Sequence, residues 1–366
     1  MKKTEVNKLR HGIHITHNDA DAVGCALVLA THYKDFDFAD NTYFCAIGTQ
    51  DKTLIEVLDK AFEEKNIPEF IVISDISLSE DTCNYLERLS SEFSITLLGI
   101  DHHKTNNLNE KFEWFRVYKD KNLDDARFED GVYISAAWAL LNYISTMEKT
   151  TPDSSLSILI DMISRYDTWE WVYHPHVYSG PYSLFKEDVT AVICKYMGAE
   201  RTFEELYKMY INNTDSTNNK VYKKLFPDMF LTIYNIEKTK EEFYLSKVES
   251  KVRIVDLYRY TTAIIINENE YSNAAASQIL QNNTFIDIVM VIYPAGNTIG
   301  FRTKSNKIDV GEFAKNYFGG GGHPKASGAK NLDSSTMSTL LELYYIVGDS
   351  IEEYNNNLMK GEDVDV

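Results

Sequence analysis

The stretch "GIHITHNDADAVGCALVLATHY", residues 12–33, decides how this chain folds. It opens on the short apolar run "GIHIT" and closes on the long helix-forming run "AVGCALVLATHY". Strand, polar turn and helix in succession make the first half of a βαβ unit. The turn itself holds His17, Asp19 and Asp21, each two residues from the next. Such groups repel one another and lose hydration when gathered at a strand end. Two readings stand: the carboxylates cap the following helix, a task open to Asp21, or a positive charge sits among them.

Outward from this stretch the alternation continues. "TYFCAIG" precedes the amphipathic "DKTLIEVLDKAFEEK"; "EFIVIS", "EDTCNYLERLSSEF" and "SITLLGI" follow. Short apolar strands separated by helices predict an α/β fold with a doubly wound parallel sheet. Residues 131–146 and 154–166 read as further helices. From about 196 to 250 the chain becomes polar, with apolar residues still at helical spacing, which predicts a helical connector. "TTAIIIN", the helix "NAAASQILQ", "IDIVMVIYP" and "NTIGFRTK" then predict a smaller second α/β domain. It ends in a glycine run at 319–322. The expected boundaries are 1–195, 196–250, 251–335 and 336–366, the last holding a helix near 335–355 and the acidic tail "GEDVDV".

The length of 366 residues suits two domains. The formal charge is 37 − 55 = −18, the wrong sign for gripping long duplex nucleic acid through its phosphates. An acidic enzyme still takes small anionic substrates where metal ions reverse the local field. The N-terminus shows no apolar signal region and no stretch has the length of a membrane span. Cys25, Cys45, Cys83 and Cys194 lie far apart without a C-x-x-C pair, so they read as free thiols. A cytoplasmic protein is the expectation.

The chemistry gathers after three strands. His17, Asp19 and Asp21 follow "GIHIT", Asp75 follows "EFIVIS", and Asp101, His102 and His103 follow "SITLLGI". In an open parallel sheet the carboxyl ends of the strands share one edge, where ligands bind. Asp167 in "SRYDTWEW" is a fourth contributor, with Asp161 as competitor and a pairing with Arg165 as its structural alternative. Carboxylates and imidazoles without thiolates suit Mn²⁺, Mg²⁺, Co²⁺ or Fe²⁺. So many acids favour two ions, bridged by a carboxylate such as Asp75.

Taken in order, "HNDAD", Asp75, "DHH" at 101–103, Asp167 and "GGGGHPKASGA" at 319–329 resemble the DHH phosphoesterases that carry a DHHA1 domain. The resemblance runs from about residue 12 to 330 and is nearest to the small oligoribonucleases, or nanoRNases. Ala20 and Ala22 depart from the commoner first motif, while the ligand types are kept. The resemblance implies His17, Asp19 and Asp75 on one metal, and Asp21, Asp75, His102 and Asp167 on the other. It makes Asp101 the residue that orients a histidine and sets His103 against the substrate phosphate or leaving oxygen. It also implies that the second domain anchors the nucleotide, opposite the metals across a cleft hinged by the connector.

The glycine run lets backbone N–H groups approach a phosphate or sugar, although a plain turn is the structural alternative. Gly320, Gly321, Gly322 and His323 are the candidate binding residues, with Lys325 and Ser327 adding donors. Arg302 in "IGFRTK" is placed to hold a phosphate bidentately, or is an ordinary surface cation. His174, His176 and the Tyr/Trp-rich stretch 166–182 read as packing or a loop over the cleft.

The expected function is hydrolysis of short RNA to mononucleotides with two divalent ions, Mn²⁺ foremost and Mg²⁺ or Co²⁺ as alternatives. The expected partners are short single-stranded RNA or dinucleotides, with no membrane and no long duplex, and a homodimer is left open. A phosphatase for 3′-phosphoadenosine 5′-phosphate and a cyclic-dinucleotide phosphodiesterase would use the same ligands. A family II pyrophosphatase is disfavoured by "GGGGH", and a RecJ-type long-strand exonuclease by length. The non-enzymatic alternative is a nucleotide-binding regulator.

Overall fold

The computed structural model describes residues 9–103, 106, 109–118, 134–168, 170–173, 176–178, 182–183, 185–212, 224–266 and 271–360. Parts of four expected features lie outside these: the start of the 131–146 helix, the middle of the connector, His174 and the acidic tail. The chain forms two compact units, Met1–Tyr234 and Asn235–Val366.

The first unit begins β1 (Gly12–Thr16), α1 (Ala20–His32), β2 (Thr42–Phe44), α2 (Gln50–Glu63), β3 (Phe70–Ser74), α3 (Glu80–Phe93), β4 (Thr96–Asp101) and β5 (Phe115–Val117). The five strands are all parallel, in the order β2-β1-β3-β4-β5. Every residue of β1 and β3 is buried, as expected of strands covered on both faces. The two faces follow the period of two. Ile13, Ile15, Ile71 and Ile73 pack with α2 and α3, whereas Phe70, Val72, Leu98 and Ile100 pack towards α1.

Helices α4 (Ala136–Glu148), α5 (Ser154–Asp167), α6 (Glu170–Tyr173), α7 (Val189–Met197) and α8 (Ala199–Asn212) follow. Helix α1 is apolar on all sides and buried from Ala20 to Ala30, because α4, α5 and α8 enclose it. Gly24 makes this possible: a Cβ there would lie 2.8 Å from the Ala137 Cβ. The order of the sheet reverses between β1 and β3, so two neighbouring crossovers leave in opposite directions. A crevice opens there at the carboxyl ends of the strands.

Helix α9 (Asp228–Val248) runs across the division between the units. The second unit contains β6 (Arg253–Leu257), β7 (Tyr260–Ile266), α10 (Ser272–Asn282), β8 (Ile288–Tyr293), β9 (Thr298–Arg302), α11 (Val310–Phe318), β10 (Gly321–Gly322), β11 (Ala326–Ala329), α12 (Ser334–Glu342) and α13 (Ile351–Lys360). Its sheet is mixed, in the order β10-β11-β9-β8-β7-β6, with only β7 and β8 parallel. The single helix expected near 335–355 is interrupted. Residues Leu343–Val347 form a π-helical turn, closed by Gly348 N–H donating to the Leu343 carbonyl at 2.8 Å. Gly348 lies against β6, where a Cβ would come within 2.7 Å of the Arg253 Cβ. Asp349 then pairs with Ile254, so contact with the sheet overrides helical propensity. No described helix is long and apolar enough to cross a membrane.

Candidate metal centre

The crevice between β1 and β3 is where the predicted residues meet. His17, Asp19 and Asp75 bring ligand atoms within 4.8 Å of one another, as do Asp21, His102 and Asp167, and as do Asp75, Asp101, His102 and His103. Asp75 therefore belongs to two of these groupings. His102 Nε2 lies 3.3 Å from Asp75 Oδ1, 3.4 Å from Asp167 Oδ2 and 3.9 Å from Asp21 Oδ2. His17 Nδ1 lies 3.9 Å from Asp75 Oδ2.

Local backbone structure explains each placement. Asp19 is the N-cap of α1: its Oδ1 accepts from Ala22 N–H at 3.1 Å while Oδ2 meets His17 Nδ1 at 2.7 Å. The capping task considered for Asp21 thus falls to Asp19. Asp21 instead accepts from Ala136 N–H at 2.7 Å and Ala137 N–H at 3.1 Å. These are the unpaired donors at the start of α4, where the helix dipole favours an anion. Asp75 leaves β3 at φ +57, a left-handed conformation that aspartate tolerates better than most residues. Its N–H is held by the Ile100 carbonyl at 2.9 Å. Asp167 is the last residue of α5 rather than a residue beyond it. Its competitor Asp161 accepts from the Tyr178 hydroxyl at 2.8 Å and joins none of the three groupings. Arg165 has its Nε 3.8 Å from Glu187.

Asp101 differs from the other acids. Its carboxylate accepts from His102 N–H at 2.8 Å, His103 N–H at 3.3 Å and Asn106 Nδ2 at 2.7 Å, and meets His103 Nδ1 at 2.8 Å. Burial alone would raise its pKa, but the adjacent His103 holds it below the usual carboxylate range. The same contact carries His103 up to about 9 against its own desolvation. Asp19 is likewise lowered, by its contact with His17 against its burial, whereas Asp21, Asp75 and Asp167 move the opposite way. Burial, then Asp19, pushes Asp21 up to about 7. Burial and the other carboxylates raise Asp75 and Asp167 well above their ordinary values. Asp75 Oδ2 and Asp167 Oδ2 are buried and accept no hydrogen bond from the described residues.

This donor set fits divalent cations. Buried acceptors without donors are costly unless a cation completes them, and mixed carboxylate–imidazole ligation suits Mn²⁺, Mg²⁺ or Co²⁺. One feature of the site was not foreseen. His14 is fully buried beneath it, its Nε2 2.8 Å from Ser74 Oγ and its Nδ1 3.2 Å from Thr42 Oγ1. Ser74 Oγ donates to Thr16 Oγ1 at 3.0 Å. His14 and Thr16 share one face of β1, so polar residues at period two were the available signal. Asn106 and the α4 N-terminus also escaped the sequence reading, because their roles depend on contacts between segments.

In the second unit Gly321 and Gly322 pair with Gly328 and Ser327, and His323 N–H donates to the Ala326 carbonyl at 2.8 Å. Packing accounts for much of the glycine content. A Cβ on Gly320 would meet the Gly328 carbonyl oxygen at 2.1 Å; one on Gly322, at φ +137, would meet Ser327 Cα at 2.7 Å. Lys325 and Ser327, expected to offer donors to a ligand, donate within the fold instead. Lys325 Nζ reaches the Ser305 carbonyl and Asn306 Oδ1, and Ser327 Oγ reaches the Val310 carbonyl. Arg302 lies at the end of β9, with Nη2 donating to Asn273 Oδ1 at 2.9 Å.

Residues 258–344 match the DHHA1 domain. The chain is 26% identical over 321 residues to Oligoribonuclease NrnB of Bacillus subtilis (strain 168), covering 87% of this chain and 72% of that protein. Its fold is similar to RecJ from Thermus thermophilus in complex with Mn²⁺, with a TM-score of 0.54 and 13% identity. That alignment covers 90% of this chain and 51% of RecJ. A pGpG-specific phosphodiesterase, PggH from Vibrio cholerae, aligns over 91% of this chain and 99% of its own, with a TM-score of 0.45 and 12% identity. With its motifs in order, its parallel sheet and a DHHA1 domain matched at 258–344, this chain is similar to the DHH phosphoesterases that carry a DHHA1 domain, with NrnB among its relatives.

Proposed function

We propose that this protein hydrolyses the phosphodiester bonds of short single-stranded RNA in the cytoplasm, releasing mononucleotides. The observation that carries this reading is the pair of buried carboxylate oxygens on Asp75 and Asp167 that find no hydrogen-bond donor among the described residues, set among the His17 and His102 imidazoles and the acids Asp19 and Asp21. The similarity to an oligoribonuclease points to short RNA as the substrate. His17, Asp19 and Asp75 would hold one divalent ion, and Asp21, Asp75, His102 and Asp167 the other. Mn²⁺ is the preferred ion, with Mg²⁺ or Co²⁺ as substitutes. Ions of this kind acidify water and neutralise charge on phosphoryl oxygens.

The chain's own groups do the rest. Asp101 accepts from both backbone N–H groups of the histidine pair and from Asn106, which fixes the His103 ring. The Asp101 carboxylate against Nδ1 favours the protonated His103 ring. From Nε2 it donates to the phosphate and then gives its proton to the departing sugar oxygen. Arg302, His323 and the backbone of Gly320, Gly321 and Gly322 would bind the substrate nucleotide.

The test is a time course on 5′-labelled RNA of two, five and twenty-four nucleotides, beside 3′-phosphoadenosine 5′-phosphate, in Mn²⁺ and in EDTA. A variant carrying Asp101→Ala and His102→Ala controls for contaminating nuclease. Mn²⁺-dependent loss of the dinucleotide ahead of the long strand is the expected result. Intact RNA with a dephosphorylated nucleotide would replace the nuclease by a phosphatase.

A further inference from the structure

The second unit carries an aromatic feature that the reaction above does not use. Strands β6 and β7 are joined by Tyr258 and Arg259, with Leu257 facing Tyr260. Arg259 N–H donates to the Leu257 carbonyl at 2.8 Å, and Tyr258 adopts φ +59. Glycine or asparagine is the usual occupant of such a position. The Tyr258 ring lies on that of Tyr317, with centroids 3.9 Å apart and planes at 25°. Tyr317 rests on Phe313 at 4.9 Å, and Phe313 is buried edge-on against Tyr260 and Phe301. The pair is thus anchored on the core yet remains 57% and 45% exposed.

Arg259 stands beside it, its guanidinium 5.2 Å from the Tyr260 ring centroid. Among the described residues it forms no ion pair with a carboxylate, in a chain of net charge −18. A strained turn that holds two large rings in water, next to an uncompensated cation, contributes little to folding. It matches what single-stranded nucleic acid asks for: an aromatic face for a base and a guanidinium for the adjoining phosphate.

We propose that Tyr258, Tyr317 and Arg259 form a platform on which one base of a single-stranded RNA stacks. This rests on the nuclease reading. Arg302 pairs with Val289, Val289 with Ala263, and Ala263 lies three residues along β7 from Tyr260. The turn therefore sits at the same end of the sheet as Arg302. It is about 10 Å further along the strand axis and about 10 Å across two strand spacings. Arg302 alternates with Phe301 and so faces away from α11. An RNA anchored at Arg302 passes over the end of the sheet to reach the tyrosines, a path longer than one nucleotide. The platform serves oligonucleotides longer than a dinucleotide.

The experiment uses the full chain and a five-nucleotide RNA containing 2-aminopurine, with binding followed by fluorescence in EDTA, where no cleavage occurs. Turnover of the dinucleotide and the pentanucleotide is measured in Mn²⁺. Tyr258→Gly with Tyr317→Ala removes both rings while easing the turn, so loss of fold does not obscure the result. The expected outcome is pentanucleotide binding about tenfold weaker. The ratio of pentanucleotide to dinucleotide kcat/KM falls by a similar factor, and Tyr258→Phe with Tyr317→Phe restores both. Binding equal to wild type overturns the platform while leaving the nuclease standing. A wild type that binds through the tyrosines but cleaves no RNA keeps the platform and removes the nuclease. Unchanged RNA binding with an altered oligomeric state assigns the surface to a second copy of the chain and overturns the proposal.

Discussion

The crevice of the first unit and the glycine-rich hairpin of the second are equally conspicuous in the sequence, but they answer to different physics. At the crevice the residues work against stability. Asp21, Asp75 and Asp167 are driven towards their neutral forms by burial and mutual repulsion, and no packing requirement calls for acids there. At the hairpin the residues serve stability. Gly320 and Gly322 are glycine because β11 approaches too closely for a side chain. A costly motif therefore points to ligand chemistry more directly than a well-packed one, and any binding role at the hairpin falls more on His323 and Arg302.

The contrast is most easily broken at Asp75. Asp75→Asn keeps the left-handed backbone and the shape while removing the charge. Activity is expected to fall by about 100-fold or more, since even partners outside a metal's ligand set cost 10–100-fold. The melting temperature in EDTA should hold or rise. Retained turnover, measured as kcat/KM with titrated Mn²⁺, would remove Asp75 from the centre.

The hairpin gives the converse result. Gly320→Ala places a methyl against the backbone and should destabilise the second unit by about 3 kcal/mol. Gly319→Ala, at φ +66 with open space around it, should cost about 1 kcal/mol. Denaturant titration of both variants separates packing from conformational strain, and equal costs would contradict the close approach at Gly320.

Acidity sharpens the comparison further. Asp21 titrates near 7 in the fold and near 3.8 when unfolded, and Asp75 and Asp167 are raised in the same direction. The folded state thus binds more protons than the unfolded state between those values. In EDTA, stability from these groups is complete below about pH 4 and is lost as pH rises through 7. Melting curves between pH 4 and 8 should show the decline, with Mn²⁺ restoring most stability at the upper end. A stability flat in pH without metal would mean that these acids are better solvated than the structure shows.

The smallest effect is expected at Asn106. Asn106→Ala removes a 2.7 Å hydrogen bond to Asp101 and loosens His103, lowering kcat about tenfold with KM little changed. An equal loss in both parameters would place Asn106 with the substrate instead.

Four strands of the parallel sheet were legible as short apolar runs, whereas β5, only three residues long with Arg116 at its centre, was not. Strands β6, β10 and β11 were not: β6 is interrupted by Asp256, and the last two are glycine-rich. Helices α12 and α13 read as one, since helical spacing persists across the π-helical turn and only the approach of β6 to Gly348 forces the break. The acids and histidines of the candidate site were legible because all but Asp167, which ends α5, follow a strand.

By itself the sequence determined the alternation of strands and helices, the charge of the chain and which polar residues end at one edge of a sheet. Local periodicity and residue chemistry are properties of neighbours, so the bare order of residues carries them. Only the tertiary structure decided that Asp19 rather than Asp21 caps α1, that Asp21 sits on the first N–H groups of α4, and that Tyr258 stacks on Tyr317. The last two depend on the distance between segments far apart in the chain, which packing alone fixes, and the first on the exact residue at which α1 begins.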